Sequence, residues 1–271
     1  MTGHLRQLLY DYLPMPALSM AVELSRRLNG SAHQKAWSRI DEQLGYPRKV
    51  LQGPFRGLDL IDAAAGMGLL PKVLGTYERE VWSSVESIVA ARPDGVINVG
   101  AADGYYAVGL ARRLPESQIV CFELNRYARH LLELQARRND NAGRLTILGR
   151  CEPEGLAKSL ADLRRPAVLC DCEGFEEELL DPERVPGLTR CRILVELHNS
   201  IRPDVDATIR ERFAATHTVS HIEPAERSRS DLPSGVDLSD ADVALALNEG
   251  RTDPTGWFDL VPVADAPRPA S

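Results

Sequence analysis

The chain has 271 residues, of which 44% are hydrophobic and 26% are charged, and its formal net charge is -7 at pH 7. This length is sufficient to bury the core of one large α/β domain and leaves room for an extension. The acidic balance disfavours a nucleic-acid partner, because proteins that bind polyphosphates usually present a basic face to them.

The apolar stretches are too short for a membrane protein. None approaches the roughly 20 residues that a membrane-spanning helix needs. Near the N-terminus Asp11 and Glu23 interrupt them, which argues against a signal sequence. We therefore predict a cytoplasmic protein with no membrane partner.

The number of cysteines is five, and three of them lie in apolar runs that are typical of buried strands. Reduced thiols are the simplest interpretation. Cys170 and Cys172 have a Cys-x-Cys spacing without a second pair at zinc-ribbon spacing, so the sequence disfavours a structural zinc site.

Residues 1–70 are predicted to form a helical arm or cap. Apolar residues recur at helical spacing over residues 5–28, with breaks at two prolines, which indicates two short amphipathic helices. We expect them to cover a substrate pocket or to contact a second copy of the chain in a homodimer. Residues 45–71 are rich in Gly and Pro and are predicted to form a connection, with a short helix over 59–65.

Beyond residue 71 the chain alternates strands with helices, which is the pattern of a parallel sheet covered on both faces. The predicted strands are residues 96–99, 119–122, 145–148, 167–170, 193–195, 217–222 and 257–263. The predicted helices are residues 77–91, 105–113, 126–138, 155–163, 175–180 and 205–213. Residues 223–240 are predicted to form a loop or lid within a domain of residues 71–265, and residues 266–271 a frayed tail.

The first of these strands ends in a turn with the pattern Gly-x-x-x-Gly, formed by Gly100 and Gly104, and the turn opens a helix. Glycines allow the backbone to approach a ligand closely, and a helix N-terminus offers free N–H groups. Tight strand-to-helix turns of other α/β proteins also contain glycine for conformational reasons, so this turn alone does not identify a ligand.

An acidic residue, Glu123, follows the second strand, where the ribose diol of an adenosine-containing ligand would lie. Together, the turn and Glu123 favour a nucleoside-binding site over a solvated strand end. The turn lacks the pattern Gly-x-Gly-x-x-Gly and a P-loop lysine, so S-adenosylmethionine (SAM) fits better than NAD or ATP.

Four ionisable residues follow the fourth and fifth strands: Asp171, Glu173, Glu196 and His198. Ligands of open α/β sheets bind outside the carboxyl ends of the strands, so we expect these side chains to converge there. Each could instead be a helix cap or a structural hydrogen-bond partner. As a set they indicate a reaction site, in which His198 is the candidate base because its ordinary pKa is near neutral, and Asp171 and Glu196 are its acidic partners.

These features resemble a class I SAM-dependent methyltransferase, and most closely the FkbM-like family. The resemblance is carried by residues 74–78, the glycine turn, Glu123, residues 171–176 with the pattern Asp-x-Glu-Gly-x-Glu, and residues 196–198. It implies a Rossmann-like fold with a seven-stranded, mostly parallel sheet, helices on both faces and an N-terminal helical extension.

The resemblance also implies that SAM lies across the edge of the first, second and fourth strands. Asn98 stands where these enzymes usually have Asp or Glu. The contact to the SAM amino group could therefore pass to another acid, with weaker affinity or a related nucleoside ligand as the consequence. The resemblance implies Gly100, Asp103 and Gly104 near the methionine part, Glu123 near the ribose, and Cys151 or Glu152 near the adenine. The further implied SAM-binding residues are Glu78, Asn98, Asn125 and Asp171.

We therefore predict SAM-dependent methylation of an oxygen of a small molecule, such as a sugar or natural-product hydroxyl, with His198 removing the proton. One alternative is a non-catalytic module that binds SAM or a nucleoside. Another is a metal-dependent O-methyltransferase in which the acidic residues hold a divalent ion, although the metal-free form is favoured. The acceptor pocket is expected to involve the N-terminal arm and residues 248–251 with Trp257, which could equally be a core residue.

Overall fold

The computed structural model describes residues 14–18, 20, 39–40, 42–44, 48–61, 68–250 and 256–263. Most of the predicted N-terminal arm, and with it the predicted homodimer contact, lies outside these residues. The same is true of most of the predicted helix over 59–65, of Arg251 and of the tail 266–271. The domain limits accordingly stay predictions.

A seven-stranded sheet forms the centre of the fold. Its strands are β1 (Gly95–Val99), β2 (Gln118–Phe122), β3 (Leu145–Leu148), β4 (Pro166–Cys170), β5 (Arg192–Glu196), β6 (His217–Ile222) and β7 (Trp257–Pro262). Their order is β3-β2-β1-β4-β5-β7-β6; β7 runs antiparallel to β5 and β6, and the other adjacent strands pair in parallel. The predicted Rossmann-like, seven-stranded, mostly parallel sheet is confirmed.

Helices connect the strands and cover the sheet. They are α1 (Leu69–Leu74), α2 (Trp82–Ala91), α3 (Tyr105–Arg113), α4 (Arg126–Arg138), α5 (Pro153–Leu160), α6 (Glu176–Leu179), α7 (Val205–Phe213) and α8 (Asp240–Ala246). Within the part of the chain that the structure describes, no helix combines the length and apolar character needed to cross a membrane.

Two hydrophobic clusters pack on opposite faces of the sheet. Successive residues of a strand point to opposite faces, and in β1 Val96 belongs to one cluster and Ile97 to the other. The first cluster includes α2, α3 and several residues of the segment 50–60, and the second includes α5 and α7. β1 and β4 are buried at every residue, which explains why both are mainly apolar in the sequence, with Asn98 of β1 as a buried polar residue.

Two helices, α1 and α8, are absent from the sequence prediction. α1 begins in the Gly- and Pro-rich stretch that predicts a connection. Its Pro71 is tolerated because it lies in the first turn, where backbone N–H groups have no intrahelical partner. α8 starts after Ser239, whose side chain caps the helix by accepting a hydrogen bond from Asp242 N.

The predicted helix over 77–91 begins later than expected. Glu78 has a left-handed backbone conformation, with φ 47°, and a 3₁₀ turn over Arg79–Val81 follows it. Regular α-helix starts only at Trp82. A left-handed residue cannot lie within an α-helix, so Glu78 separates this element from the preceding segment.

Residues 223–240 form an irregular segment after β6, as the sequence predicts. Buried ion pairs hold it in place: Arg227 Nη2 lies 3.0 Å from Glu249 Oε1 and also pairs with Glu80. Asp231 pairs with an arginine of the 3₁₀ turn before α2. The segment is therefore anchored to the body of the domain, and its role as a lid stays a prediction.

Candidate functional site

A cleft of about 870 Å³ opens at the carboxyl ends of β1, β2 and β4. Ligands of open α/β sheets bind at this edge, and the volume falls in the range of about 300–1,000 Å³ that is usual for small-molecule sites. Of the predicted SAM-binding residues, those on the cleft wall are Gly100, Glu123, Asn125, Cys151 and Asp171.

Gly100 joins the end of β1 closely to the end of β4. A Cβ atom on this residue would lie 1.5 Å from the carbonyl oxygen of Asp171, and its φ is 76°. Asp171 N donates a hydrogen bond to Val99 O at 3.0 Å, which keeps the two chain segments together. Glycine is therefore required here by both the backbone conformation and the space.

Glu123 ties the glycine turn to the start of α4. Its Oε2 accepts a hydrogen bond from Ala102 N at 2.8 Å, and its Oε1 accepts one from Asn125 N at 2.6 Å. Ala102 has a left-handed conformation, with φ 47°, which is unfavourable for a residue with a Cβ. The carboxylate thus stabilises a strained turn and also lies on the cleft wall.

Two predicted SAM-binding acids are engaged with other protein groups behind the turn. Asp103 is buried, and both of its carboxylate oxygens accept hydrogen bonds from Lys72 Nζ of α1, at 2.9 and 2.8 Å. Glu78 is buried and accepts a hydrogen bond from the Tyr106 hydroxyl. Neither residue lines the cleft, so their contacts with the methionine part of SAM stay predictions.

Three further predicted residues also lie off the cleft wall. Asn98 is buried in β1, and its Oδ1 has no hydrogen-bond partner among the described residues. Gly104 begins α3 with φ 90°, and a Cβ there would lie 2.3 Å from Leu132 Cδ1. Glu152 is exposed and forms an ion pair with Arg150 at 2.6 Å. Gly104 and Glu152 therefore each have a structural role in the protein: Gly104 leaves room for Leu132, and Glu152 pairs with Arg150.

The ionisable residues after β4 and β5 surround the imidazole of His198. Its Nε2 lies 3.5 Å from Glu173 Oε2, 3.7 Å from Asp171 Oδ1 and 4.0 Å from Glu196 Oε2. The predicted convergence of these four side chains is confirmed, whereas their chemical roles stay predictions. Asp171 and Glu173 also line the cleft, so the cleft reaches this acid–histidine cluster.

Glu176, which is not among the predicted site residues, completes the cluster. It is fully buried, and its Oε1 lies 2.8 Å from His198 Nδ1. The same oxygen accepts hydrogen bonds from Cys172 N at 3.0 Å and Gly174 N at 3.3 Å. Glu176 belongs to the Asp-x-Glu-Gly-x-Glu element, but an acid in the first turn of a helix is usually an exposed group that favours the helix dipole, so its sequence position does not reveal this contact.

The charges of this cluster shift the pKa values of His198 and Glu176 in opposite directions. Burial would lower the pKa of His198, but the hydrogen bond with Glu176 and the charges of Glu176, Glu196 and Glu173 raise it above its ordinary 6.5. Burial would raise the pKa of Glu176, but His198 and backbone N–H donors lower it below its ordinary 4.5. Both shifts favour the charged forms, so the contact stabilises the pair as imidazolium and carboxylate.

The neighbouring negative charges also change the pKa of Asp171. Desolvation, the negative charges of Glu196, Glu78 and Glu173, and a hydrogen bond with Glu196 raise the pKa of Asp171 well above its ordinary value. A raised carboxyl pKa and a protonated histidine are the two ways in which neighbouring carboxylates relieve their repulsion in the absence of a metal ion. The raised pKa values of Asp171 and His198 correspond to these two ways.

Residues 248–250 and Trp257, which are predicted to contribute to the acceptor pocket, do not line the cleft. Trp257 is 2% exposed, belongs to the first hydrophobic cluster and pairs in register with Glu196, so its interpretation as a core residue is confirmed. Glu249 Oε1 accepts a hydrogen bond from Glu78 N at 3.0 Å. The acceptor-pocket role of residues 248–251 stays a prediction.

Comparisons with known proteins return similar folds at low identity. An O-methyltransferase from Bacillus cereus in complex with SAH is 13% identical, covers 65% of this chain and 78% of its own, and has a TM-score of 0.43. The O-methyltransferase TomG from Streptomyces achromogenes, in complex with SAM, is 14% identical over 65% of this chain and 77% of its own, with a TM-score of 0.43. Precorrin-6y C5,15-methyltransferase from Geobacter metallireducens is 13% identical over 66% of this chain and 87% of its own, with a TM-score of 0.42.

No protein-family profile matches the chain, and no curated protein is detectably similar to it in sequence.

Proposed function

We propose that this protein is a cytoplasmic SAM-dependent methyltransferase of the FkbM-like type that methylates a hydroxyl oxygen of a small molecule, such as a sugar or a natural product. The observation that carries the proposal is a single cleft that extends from Glu123 to the acid–histidine cluster. A nucleoside-binding group at one end and a proton acceptor at the other are what SAM-dependent O-methylation requires of a protein.

The groups on the cleft wall fit SAM. Each carboxylate oxygen of Glu123 accepts one backbone N–H and keeps lone-pair capacity for ribose hydroxyls. Leu124, which is 69% exposed on the same wall, offers apolar surface to a purine ring. When bound, SAM supplies an electrophilic methyl group on a positively charged sulfonium, and the carboxyl group of Glu173 gives that end of the cleft an acidic character suited to a cation.

His198 is the proposed base for the acceptor hydroxyl. The charges of Glu173 and Glu196, which face Nε2, stabilise the imidazolium that forms when the ring takes up a proton. Glu176 holds Nδ1, so Nε2 is the ring nitrogen that faces Asp171 and Glu173 of the cleft wall. The same charges raise the pKa of His198, so we expect methyl transfer to become faster as the pH rises through that raised pKa.

Calorimetry with S-adenosylhomocysteine (SAH) and methyl transfer from labelled SAM to a panel of sugars and hydroxylated natural products test the proposal. We expect SAH to bind, label to appear on a hydroxyl oxygen, and His198→Ala to bind SAH but lose transfer. A protein that binds no SAH would overturn the proposal. Binding with no transfer to any acceptor would favour the non-catalytic module, and full transfer by His198→Ala would remove His198 as the base.

A metal-dependent variant of the same reaction has one specific observation in its favour. Asp171, Glu196 and His198 each offer one ligand atom, and the three atoms lie within 4.8 Å of one another. Carboxylate oxygens and an imidazole nitrogen are suitable donors for a divalent cation. A metal there would lower the pKa of a coordinated hydroxyl, and His198 would then be a ligand and not the base.

A further inference from the structure

Cys170 and Cys172 form a close pair of thiols beside the cleft. Their Sγ atoms are 3.6 Å apart. Cys170 is the last residue of β4 and is 1% exposed, whereas Cys172 is half-buried and lies on the cleft wall. Residues two positions apart in an extended segment share a face, which explains why the two side chains meet.

The two thiols differ in access and in environment. Cys170 is buried at the end of β4, whereas Cys172 lies on the cleft wall with its Sγ in contact with that of Cys170. Cys151 and Cys191 are buried as well. A solute in the cleft meets Cys172 first, with the second sulfur behind it, which is the arrangement of an attacking and a resolving cysteine.

We propose that Cys172 and Cys170 are a reversible oxidation site, in which a peroxide that enters the cleft oxidises Cys172 and Cys170 then closes a disulfide that impairs nucleoside binding. This site is additional to methyl transfer, and its effect on binding rests on the proposed function. Reversible oxidation would give the Cys-x-Cys pair a regulatory role, which differs both from a structural zinc site and from thiols that are only part of the core.

The chemistry balances with peroxide as the only co-reactant. The Cys172 thiol loses its proton and its sulfur attacks one peroxide oxygen, the O–O bond breaks, the leaving hydroxide takes up that proton to form water, and Cys172 becomes a sulfenic acid. The Cys170 sulfur then attacks the Cys172 sulfur. An S–S bond forms, the S–O bond breaks, and the hydroxyl leaves as water with the Cys170 proton. Two thiols are oxidised by two electrons, and the peroxide is reduced.

Closing the bond would change the cleft. A disulfide needs sulfurs about 2.05 Å apart, so the present 3.6 Å must shorten by about 1.5 Å. Cys170 is packed in the core, so Cys172 must make most of this movement. The backbone N–H of Cys172 is donated to Glu176 Oε1, which also holds His198, and Asp171 between the cysteines packs its carbonyl against Gly100. The disulfide would therefore disturb both the cleft wall and the acid–histidine cluster.

The test uses the full chain, treated with hydrogen peroxide, quenched with catalase and alkylated. One tryptic peptide, residues 165–184, contains both cysteines. We expect this peptide to lose the mass of two hydrogen atoms and to resist alkylation until dithiothreitol is added. We expect the SAH affinity of the oxidised protein to fall by about tenfold or more and to recover on reduction.

Variants assign the roles of the two sulfurs. Cys172→Ser should abolish the mass change, and the matched control Cys191→Ser, which removes a buried thiol away from the cleft, should retain it. In Cys170→Ser the oxidation should stop at a sulfenic acid on Cys172, which dimedone traps. This third variant keeps the test decisive if Cys172→Ser does not fold.

Several results would overturn the proposal. These are a peptide that remains a dithiol while other cysteines oxidise, a bond between Cys151 and Cys172, or a disulfide that leaves SAH affinity unchanged. If the reduced protein binds no SAH, the proposed function fails by itself, and the peptide masses alone then decide whether the oxidation site exists.

Discussion

Glu176 Oε1 lies 2.8 Å from Nδ1 of His198, and the glutamate side chain has no exposed surface. The contact links the first turn of α6 to the chain after β5, across 22 residues of sequence. The same carboxylate oxygen accepts the N–H groups of Cys172 and Gly174. One buried group therefore orients the imidazole and also holds the loop that carries Asp171.

Replacing Glu176 with glutamine should lower the pKa of His198, because the ring loses its nearest negative charge and its charged hydrogen-bond acceptor. NMR titration of the histidine ring protons measures this change, with His198→Asn used to assign the signal. The free energy of unfolding should fall by about 1–3 kcal/mol, because a charged partner is removed from a buried hydrogen bond. Glu177→Gln, at the next position of the same helix, is the control and should change neither quantity. An unchanged pKa of His198 in Glu176→Gln would contradict the assigned contact.

The stability that this pair adds should depend on pH in a defined direction. The pKa of His198 is raised, so its contribution is complete below its ordinary 6.5 and is lost as the pH rises through the raised value. The pKa of Glu176 is lowered, so its contribution is complete above its ordinary 4.5 and is lost as the pH falls through the lowered value. The pair should therefore stabilise the fold most between the two ordinary pKa values, 4.5 and 6.5.

Urea unfolding of the wild type and of His198→Asn measures this dependence. The difference in unfolding free energy between the two proteins should be larger near about pH 5.5 than near about pH 9. The comparison is made between proteins at each pH, since the raised pKa of Asp171 also removes stability as the pH rises. A difference that grows towards alkaline pH would mean that the imidazolium form of His198 does not stabilise the fold.

Gly100→Ala should unfold the protein or destabilise it by about 4 kcal/mol or more, because the new methyl group would meet the carbonyl oxygen of Asp171 in a left-handed backbone conformation. Gly143→Ala is the matched control, since no atom lies within 4 Å of the Cβ position there. Thermal and urea unfolding of both variants give the comparison. Equal stability of the two variants would mean that β1 and β4 are not joined in this way.

Glu123→Ala should weaken SAH binding by about 1–3 kcal/mol, because the ribose hydroxyls lose a charged acceptor and the turn loses the group that holds Ala102 N. Calorimetry measures the change, and Glu123→Gln separates the loss of charge from the loss of the hydrogen bond. Glu133→Ala, on the exposed side of α4, should bind like the wild type. Unchanged affinity in Glu123→Ala would remove this residue from the binding site.

Removal of metal ions should leave methyl transfer unchanged if His198 is the base. Turnover is measured after exhaustive treatment with EDTA, with Mg²⁺, Mn²⁺ and Zn²⁺ added back one at a time. Activity that disappears and returns with one of these ions would favour the metal-dependent alternative, in which Asp171, Glu196 and His198 are ligands.

The sheet and the position of the cleft followed from local features of the sequence. β1 and β4 are buried on both faces and are therefore mainly apolar in the sequence. β1 ends at Val99, so the turn that begins with Gly100 lies at the carboxyl edge. Gly100 and Glu123 could be predicted because each acts at a fixed place relative to its own strand. The late start of α2 could not be predicted from the sequence. It depends on the left-handed Glu78, which is stabilised by contacts with Tyr106 and Glu249, two residues distant in sequence.

The order of strands and helices could be predicted from the sequence, and so could the edge at which the cleft opens and the set of acids at that edge, since these depend on period and on strand ends. The atoms that meet there are set by the three-dimensional packing. Asp103 is paired with Lys72 of α1 behind the turn, and Glu176 is turned inward to His198. Both outcomes depend on packing between segments that are far apart in the chain, where burial makes an unpaired charge costly and so selects the partner that lies within reach.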